Sequence, residues 1–297
     1  MSNSNVPKSI TPALYLSDLD GTLLNAEGEL GEKTRRGLIQ LIENGLHFTI
    51  ASARSYFSIS KLFQDFPFQL PIIEFNGAFI TDYASGKHLE TNALGTELGF
   101  ELYERVRSAG QRPFVCSFNG REDCLHYDEL SNAGMVWYEN RRRSAGDPRL
   151  RQTLDLKSTM AEDVVSLTVM DQSESKIRAL HEQLAEAYGE TLQLYCYENE
   201  YSAGTWWLTI HHKNASKHIA MKTLQERFLP GAEIIAFGDN VNDLLMLEHA
   251  HRAICVDNAV TELRSISDQV IGHHAEESVI QFLESDIERR KLTLVES

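Results

Sequence analysis

The chain has 297 residues, enough for one large or two medium domains, each with a core of its own. Its 28 basic residues against 43 acidic ones leave a formal net charge of −15, a surface that repels nucleic acid and anionic membranes and argues against both as partners. The same field repels phosphorylated ligands, so a phosphate site here must carry local positive charge or a metal.

The opening stretch, Met1 to Thr11, is polar and lacks the apolar segment of a signal peptide. No apolar run reaches the roughly 18 residues that a membrane helix needs. Cys116, Cys124, Cys196 and Cys255 have neither a CxxC pair nor a zinc-type spacing. Scattered thiols in an acidic chain predict a reducing, cytoplasmic location, where Asn214-Ala-Ser216 is a glycosylation sequon by letter only.

In chain order, Ala13–Ser17 reads as an apolar strand that ends in Asp18-Leu-Asp20-Gly-Thr22. Glu32–Asn44 has helical spacing through Leu38, Leu41 and Ile42 and stops at Asn44-Gly45. Leu46–Ile50 is a second strand, followed by Ser52-Ala-Arg54 and a helix rich in Phe. Pro71–Phe75 is a third strand, closing on Asn76-Gly-Ala78. Phe79–Asp82 and Lys87–Glu90 flank the Ser85-Gly86 turn of a hairpin.

From about Thr91 the grammar changes. A helix (Glu97–Ala109) precedes strands at Pro113–Phe118 and Asp123–Tyr127, and a polar helix then runs through Arg143. A loop with Gly146 and Pro148 leads to strand Val164–Met170, helix Glu174–Tyr188 and strands Leu192–Tyr197 and Trp206–Ile210. After His212 strict alternation returns with helix Ser216–Phe228, strand Glu233–Phe237 and Gly238-Asp239-Asn-Val-Asn242-Asp243 opening a helix. Strands Ala253–Val256 and Gln269–Ile271 and a helix from about Ala275 to Lys291 complete the chain. The pattern predicts an α/β protein. Its core is a doubly wound, Rossmann-like parallel sheet, built from residues 1–90 and 212–297, and residues 91–211 form an inserted α+β cap domain.

Four segments fall at the carboxyl ends of core strands or at helix starts, where such sheets bind ligands. Asp18 and Asp20 lie two apart just past a buried strand, and Gly21 permits the turn that aims both into one crevice. Two like charges held together imply a cation between them; the plain alternative is a strand-end turn with two solvated acids. Asp239, Asn242 and Asp243 offer oxygen at a helix start, which suits a hard cation such as Mg²⁺ but also describes a common helix cap. Ser52, with Arg54, and Lys217 are good phosphate ligands by type, though each alone is more often a cap or a surface charge.

Taken together, these residues resemble the haloacid dehalogenase superfamily of aspartyl-phosphate hydrolases. Within it they resemble the Cof-type sugar-phosphate phosphatases with a large α/β cap. The likeness covers nearly the whole chain. Asp18-Leu-Asp-Gly-Thr-Leu23 matches the first motif, Ser52-Ala-Arg54 the second, Lys217 the third and Gly238-Asp-Asn-Val-Asn-Asp-Leu-Leu-Met-Leu247 the fourth. Asn76-Gly-Ala78 and Asp257-Asn-Ala259 stand where that group places similar residues. The resemblance implies that Asp18 is the nucleophile and Asp20 the general acid and base. It also implies Mg²⁺ on the Asp18 carboxylate, the Asp20 backbone carbonyl and Asp239, with Asp243 orienting Lys217 or the metal shell. Ser52, Lys217 and Asn242 hold the transferring phosphoryl group, and Arg54 and Asn76 join them as substrate ligands.

The function implied is Mg²⁺-dependent hydrolysis of a small phosphorylated metabolite, with a sugar phosphate as the favoured class. A phosphomutase or phosphotransferase using the same intermediate is the alternative, and a non-catalytic metabolite sensor is a more distant one. Two positions depart from the pattern. Ala53 and His218 stand where the family usually has glycine, and His218 reads as a helix cap or as a group reaching toward substrate. Arg141-Arg142-Arg143, with Arg149 and Arg151, is either a solvated face or a contact for a second anionic group on the substrate. Trp206-Trp207 is expected to pack where the insertion rejoins the core. The pairs His211-His212 and His273-His274 lack partners at metal-ligand spacing. Which metabolite is the substrate, and the oligomeric state, stay open at this level.

Overall fold

The computed structural model describes residues 12–199 and 202–295, so the polar stretch 1–11 lies outside the described residues. The chain opens with β1 (Ala13–Ser17), α1 (Glu32–Glu43), β2 (His47–Ile50), α2 (Tyr56–Phe63), β3 (Ile72–Glu74) and the hairpin β4 (Phe79–Asp82) and β5 (Lys87–Thr91). It continues through α3 (Thr96–Ser108), β6 (Pro113–Phe118), β7 (Asp123–Tyr127), α4 (Ala133–Ser144), β8 (Leu150–Gln152) and β9 (Asp163–Asp171). After these come α5 (Glu174–Tyr188), β10 (Leu192–Glu198), β11 (Trp206–His212), α6 (Lys217–Phe228) and β12 (Glu233–Gly238). The closing elements are α7 (Leu244–Glu248), β13 (Arg252–Cys255), α8 (Thr261–Ile266), β14 (Gln269–Val270) and α9 (Ser278–Val295).

Two units divide these elements. The first holds the residues up to Glu74, Ile80–Lys87 and the residues from Lys217 onward; the second holds Phe75–Phe79 and His88–Ser216. The sequence-drawn boundaries at 90/91 and 211/212 fall inside β5 and β11, whereas the units part at 87/88 and 216/217, and residues 75–79 go with the second unit.

In the first unit a parallel sheet has the order β14-β13-β12-β1-β2, and a parallel bridge between Ala51 and Ile73 attaches β3 beyond β2. Leu14, Tyr15 and Leu16 of β1 are all buried, the unbroken apolar run that a sheet covered on both faces demands. Connections lead outward from β1 in one direction (α1, α2) and from β12 in the other (α7, α8). Right-handed crossovers therefore send the two sets to opposite faces, as a doubly wound sheet requires. α1 packs on α9, and α6 packs on α7. Leu38 and Ile42, four apart on α1, point at the core, and the helix ends at Asn44 before Gly45, which takes φ +92°.

The second unit is a six-stranded mixed sheet of order β10-β11-β9-β6-β7-β8, antiparallel except for the parallel pair β7/β8. Alternate side chains feed two cores. Val115, Leu167 and Ile210 join Leu102 of α3 and Leu180 of α5 on one face, while Phe114, Leu125 and Trp207 join Met135 and Tyr138 of α4 on the other. The sheet order and helix placement are those of an α/β core carrying an α+β insertion.

Differences from the expected elements have local causes. Phe75 leaves the third strand because it and Asn76 take positive φ (48° and 55°) in a tight turn with Gly77. Glycine is required at 77, where φ is +101° and a Cβ would meet the Ser216 backbone at 2.5 Å. The short strand β8, the helical turn Lys157–Ala161 and helix α8 have no counterpart in the expected elements, because three to six residues are too few to display a period. Of the Trp206-Trp207 pair, Trp207 lies edge-on to Tyr138 at 5.2 Å in the buried cluster that also holds Ala215, and Trp206 lies beneath the Arg178 guanidinium. No described helix is long and apolar enough to cross a membrane.

Candidate active site

The site lies in the first unit, at the carboxyl ends of β1 and β12, where the sheet order reverses direction. Ser17 pairs with Phe237 on one side and Ile50 on the other, so the loops after β1, β2 and β12 emerge along one edge. Asp18 is fixed at that edge by its amide, which donates to the Phe237 carbonyl at 3.0 Å. The chain then makes a wide turn, closed by the Leu24 amide on the Leu19 carbonyl at 2.9 Å. Gly21 sits in it at φ +76°, and a Cβ there would meet Asp239 Oδ2 at 2.4 Å. Glycine thus serves twice, supplying a backbone angle that other residues avoid and letting the second acidic loop approach. Across the gap, the Thr22 hydroxyl donates to Asp239 Oδ1 at 2.7 Å.

Lys217, the first residue of α6, is only 1% exposed. Its ammonium donates to Asp18 Oδ1 at 2.5 Å and to Asp243 Oδ1 at 2.6 Å. The other Asp243 oxygen accepts from the amides of Asp239 and Asn240 at 3.1 and 3.2 Å, which ties the turn after β12 to the lysine. Carboxylate oxygens of Asp18, Asp239 and Asp243 all lie within 4.8 Å of one another.

Three buried carboxylates against one ammonium leave the cluster short of positive charge. Burial raises the Asp18 carboxyl well above its ordinary value; Lys217 opposes this, while Asp243 and Asp239 add to it. Asp239 is pushed up to about 6, by burial first and by the Asp243 charge next. Burial alone would lower Lys217, but the charges of Asp18 and Asp243 overcome it and hold the ammonium above its usual range. A hard divalent cation fits this donor set, because it would supply the missing charge to an all-oxygen cluster.

A pH dependence follows. Where Asp239 has been raised from 3.8 to about 6, the native state keeps a proton that the unfolded chain has already released. Stability of the cation-free protein is therefore expected to fall as pH rises from about 4 through about 6. Urea midpoints in EDTA should be higher near pH 5 than near pH 7.5, and Asp239→Asn or added Mg²⁺ should narrow the difference.

The remaining expected site residues are placed as follows. Asp20 is outside the carboxylate cluster; Arg54 grips it in a fork, Nε to Oδ2 at 2.7 Å and Nη2 to Oδ1 at 2.5 Å. The Arg54 amide donates to the buried Ser52 hydroxyl at 3.1 Å within the loop after β2, and the Arg54 fork ties that loop to the Asp20 turn. Asn242 is half-buried in the turn Val241–Asp243, beside Asp243. Asn76 is buried in the second unit. Ala53 is exposed and is not among the described residues with positive φ, so its methyl group imposes no backbone strain. His218 stacks on His249 with ring centroids 4.8 Å apart. In the second unit Arg143 pairs with Glu139, Arg142 lies over Tyr138 and Arg149 forks onto Asp147 at 2.9 and 2.6 Å. Sequence reasoning gave no role to Thr22 or Asn258. The Asn258 amide donates to the Gly21 carbonyl at 2.8 Å, so both residues brace the Asp18 turn. Their only signal was membership of segments already singled out.

A doubly wound sheet with a buried lysine and carboxylates at its switch point defines an α/β enzyme of phosphoryl chemistry. The chain belongs to the family of haloacid dehalogenase-like hydrolases, whose model matches residues 15–283, and is a phosphatase of its Cof-type branch. It is 24% identical over 279 residues to the 5-amino-6-(5-phospho-D-ribitylamino)uracil phosphatase YitU of Bacillus subtilis, a match covering 92% of this chain and 96% of that protein. It is 23% identical to the pyridoxal phosphate phosphatase YbhA of Escherichia coli, over 94% of this chain and all of that one (100%). A solved haloacid dehalogenase-like hydrolase from Bacteroides thetaiotaomicron has the same fold, with a TM-score of 0.74 at 23% identity, covering 93% of this chain and 99% of that one.

Proposed function

We propose that this phosphatase uses Mg²⁺ and hydrolyses a small phosphorylated metabolite, a sugar phosphate being the favoured class, through a phosphoryl group carried on Asp18. The observation that carries the reading is the buried contact of Lys217 with Asp18 and Asp243 beside Asp239. A sensor has no use for so costly an arrangement.

Asp18 attacks phosphorus through a carboxylate oxygen, and the bond to the leaving oxygen breaks. Asp20 gives that oxygen its proton, so the alcohol departs neutral. It then takes a proton from the water that attacks the aspartyl phosphate, which releases inorganic phosphate and returns Asp18 and Asp20 to their starting states. Lys217, Ser52 and Asn242 hold the phosphoryl oxygens, while Arg54 anchors the Asp20 carboxylate at the mouth of its turn. Asp18, Asp239 and the Asp20 carbonyl would hold the Mg²⁺, with Asp243 fixing Lys217 and the Asp239 loop behind them. The bound cation supplies positive charge that offsets repulsion between carboxylate and phosphate dianion.

The relatives are named for 5-amino-6-(5-phospho-D-ribitylamino)uracil and for pyridoxal phosphate, both phosphate esters of a primary alcohol. The test is therefore phosphate release from a panel of sugar phosphates, pyridoxal 5′-phosphate and ribitylaminouracil phosphate. Turnover with Mg²⁺ that EDTA abolishes and fresh Mg²⁺ restores is expected; EDTA-insensitive release would overturn the cation's role.

Asp20→Asn separates acid catalysis from attack. Its kcat/KM, which reports the steps up to departure of the leaving group, should fall by about 10²–10⁴ on alkyl phosphates, and far less on p-nitrophenyl phosphate, whose leaving group needs no proton. Equal losses on both substrates would remove Asp20 from the acid role.

A further inference from the structure

A second cluster of metal-ligating side chains lies wholly within the second unit. Cys124 and His126 stand two apart on β7, so the pleat sends both to one face of the sheet. β6 separates β7 from β9, and its Ser117 pairs with Cys124 on one side and Val164 on the other. Glu162 immediately precedes β9 and reaches back across Ser117. Its Oε2 accepts from the Ser117 hydroxyl at 2.5 Å and lies 3.1 Å from His126 Nε2. One donor atom each from Cys124, His126 and Glu162 falls within 4.8 Å of the other two. Cys124 and His126 are buried, and Glu162 is half-buried, leaving a way in from solvent.

We propose that Cys124, His126 and Glu162 form a site for a zinc-class divalent ion in the inserted domain, separate from the Asp18 centre and independent of the proposed phosphatase mechanism. Sulfur, imidazole nitrogen and carboxylate oxygen make a borderline-soft set that suits Zn²⁺ or Co²⁺ and discriminates against Mg²⁺, which prefers oxygen alone. Thiolate and carboxylate together neutralise a 2+ ion. On binding, a metal–sulfur bond replaces the S–H bond of Cys124 and the proton goes to solvent. Zinc–ligand bonds of about 2.0–2.3 Å place tetrahedral donors roughly 3–4 Å apart, so small side-chain rotations close the cluster. A water completes the fourth position. Asn119 Nδ2, 3.5 Å from the sulfur, and the neighbouring Arg151 are donors able to hold the thiolate from behind. Such an ion would pin β7 to β9 across β6.

The experiment uses the full chain, stripped with chelator and titrated first with Co²⁺ and then with Zn²⁺. A near-ultraviolet thiolate-to-cobalt charge-transfer band should saturate at one equivalent and vanish as Zn²⁺ displaces Co²⁺. Cys124→Ser and Cys124→Ala should remove the band. His126→Ala and Glu162→Gln should each weaken Zn²⁺ binding at least about tenfold, while Asp239→Asn leaves the band intact. No band in the wild type, a band that survives loss of Cys124, or one that disappears in Asp239→Asn overturns the site. Glu162→Gln is nearly isosteric and half-exposed, so unchanged Zn²⁺ affinity in that folded variant is equally decisive if the thiol variants fail to fold.

Discussion

Asp18→Asn is expected to fold normally and to lose phosphate release by about a thousand-fold or more, because an amide oxygen cannot carry the phosphoryl group that a carboxylate accepts. The substitution keeps the shape of the side chain and the hydrogen bond from the residue 18 amide to the Phe237 carbonyl that fixes it at the strand end. It also removes a charge that burial already disfavours, while Lys217 keeps Asp243 as a partner. The melting temperature in EDTA should therefore hold or rise as turnover disappears. Steady-state phosphate release with Mg²⁺, together with thermal melts, checks both halves. A variant that still turns over robustly would show that some other group attacks phosphorus.

The second large effect concerns Lys217. Replacing it with Met keeps most of the stem volume but strands Asp18 and Asp243 in a buried site without their ammonium. Breaking a buried pair in this way costs about 3–5 kcal/mol, which should appear as a lower urea midpoint in EDTA. Added Mg²⁺ should recover part of the stability, since it answers the same excess of negative charge, but not the activity, because the phosphoryl oxygens lose their ammonium. Lys217→Arg should not restore function either: a planar fork is larger than the space the ammonium fills between two carboxylates. A Lys217→Met protein as stable as the wild type in EDTA would mean that the three carboxylates are not all ionised when the lysine is present.

Much of this was legible in the sequence because the informative residues are contiguous. Asp18 to Leu23 and Gly238 to Leu247 each spell a strand end, a turn and a donor set within one short stretch, and the apolar runs before them placed the strands. Lys217 was legible by type and position, but its contact with Asp18 spans 199 positions and no local pattern encodes it. Arg54 looked like a phosphate ligand, and the structure sets it on Asp20; sequence says that a guanidinium needs an anion, not which one. Trp206 and Trp207 show a related limit: two adjacent aromatics on a strand point to opposite faces, here into the two cores of the second unit, and the dipeptide does not say which partner each ring meets. Helix α8 and strand β8 escaped because elements of six and three residues are decided by their neighbours rather than by their own periodicity.

The separation between Asp18 and its ammonium carries a consequence for how the protein can vary. Everything in the second unit lies inside the loop that the Asp18–Lys217 contact closes. The entropy of closing a loop grows only with the logarithm of its length, about 0.6 kcal/mol for each doubling. An interlude of quite different size could therefore be spliced between the acid and the base of this pair with little effect on whether they meet, provided that it folds by itself. The reaction centre is in that sense indifferent to what is written between its halves, and the intervening text is free to be rewritten for a new ligand.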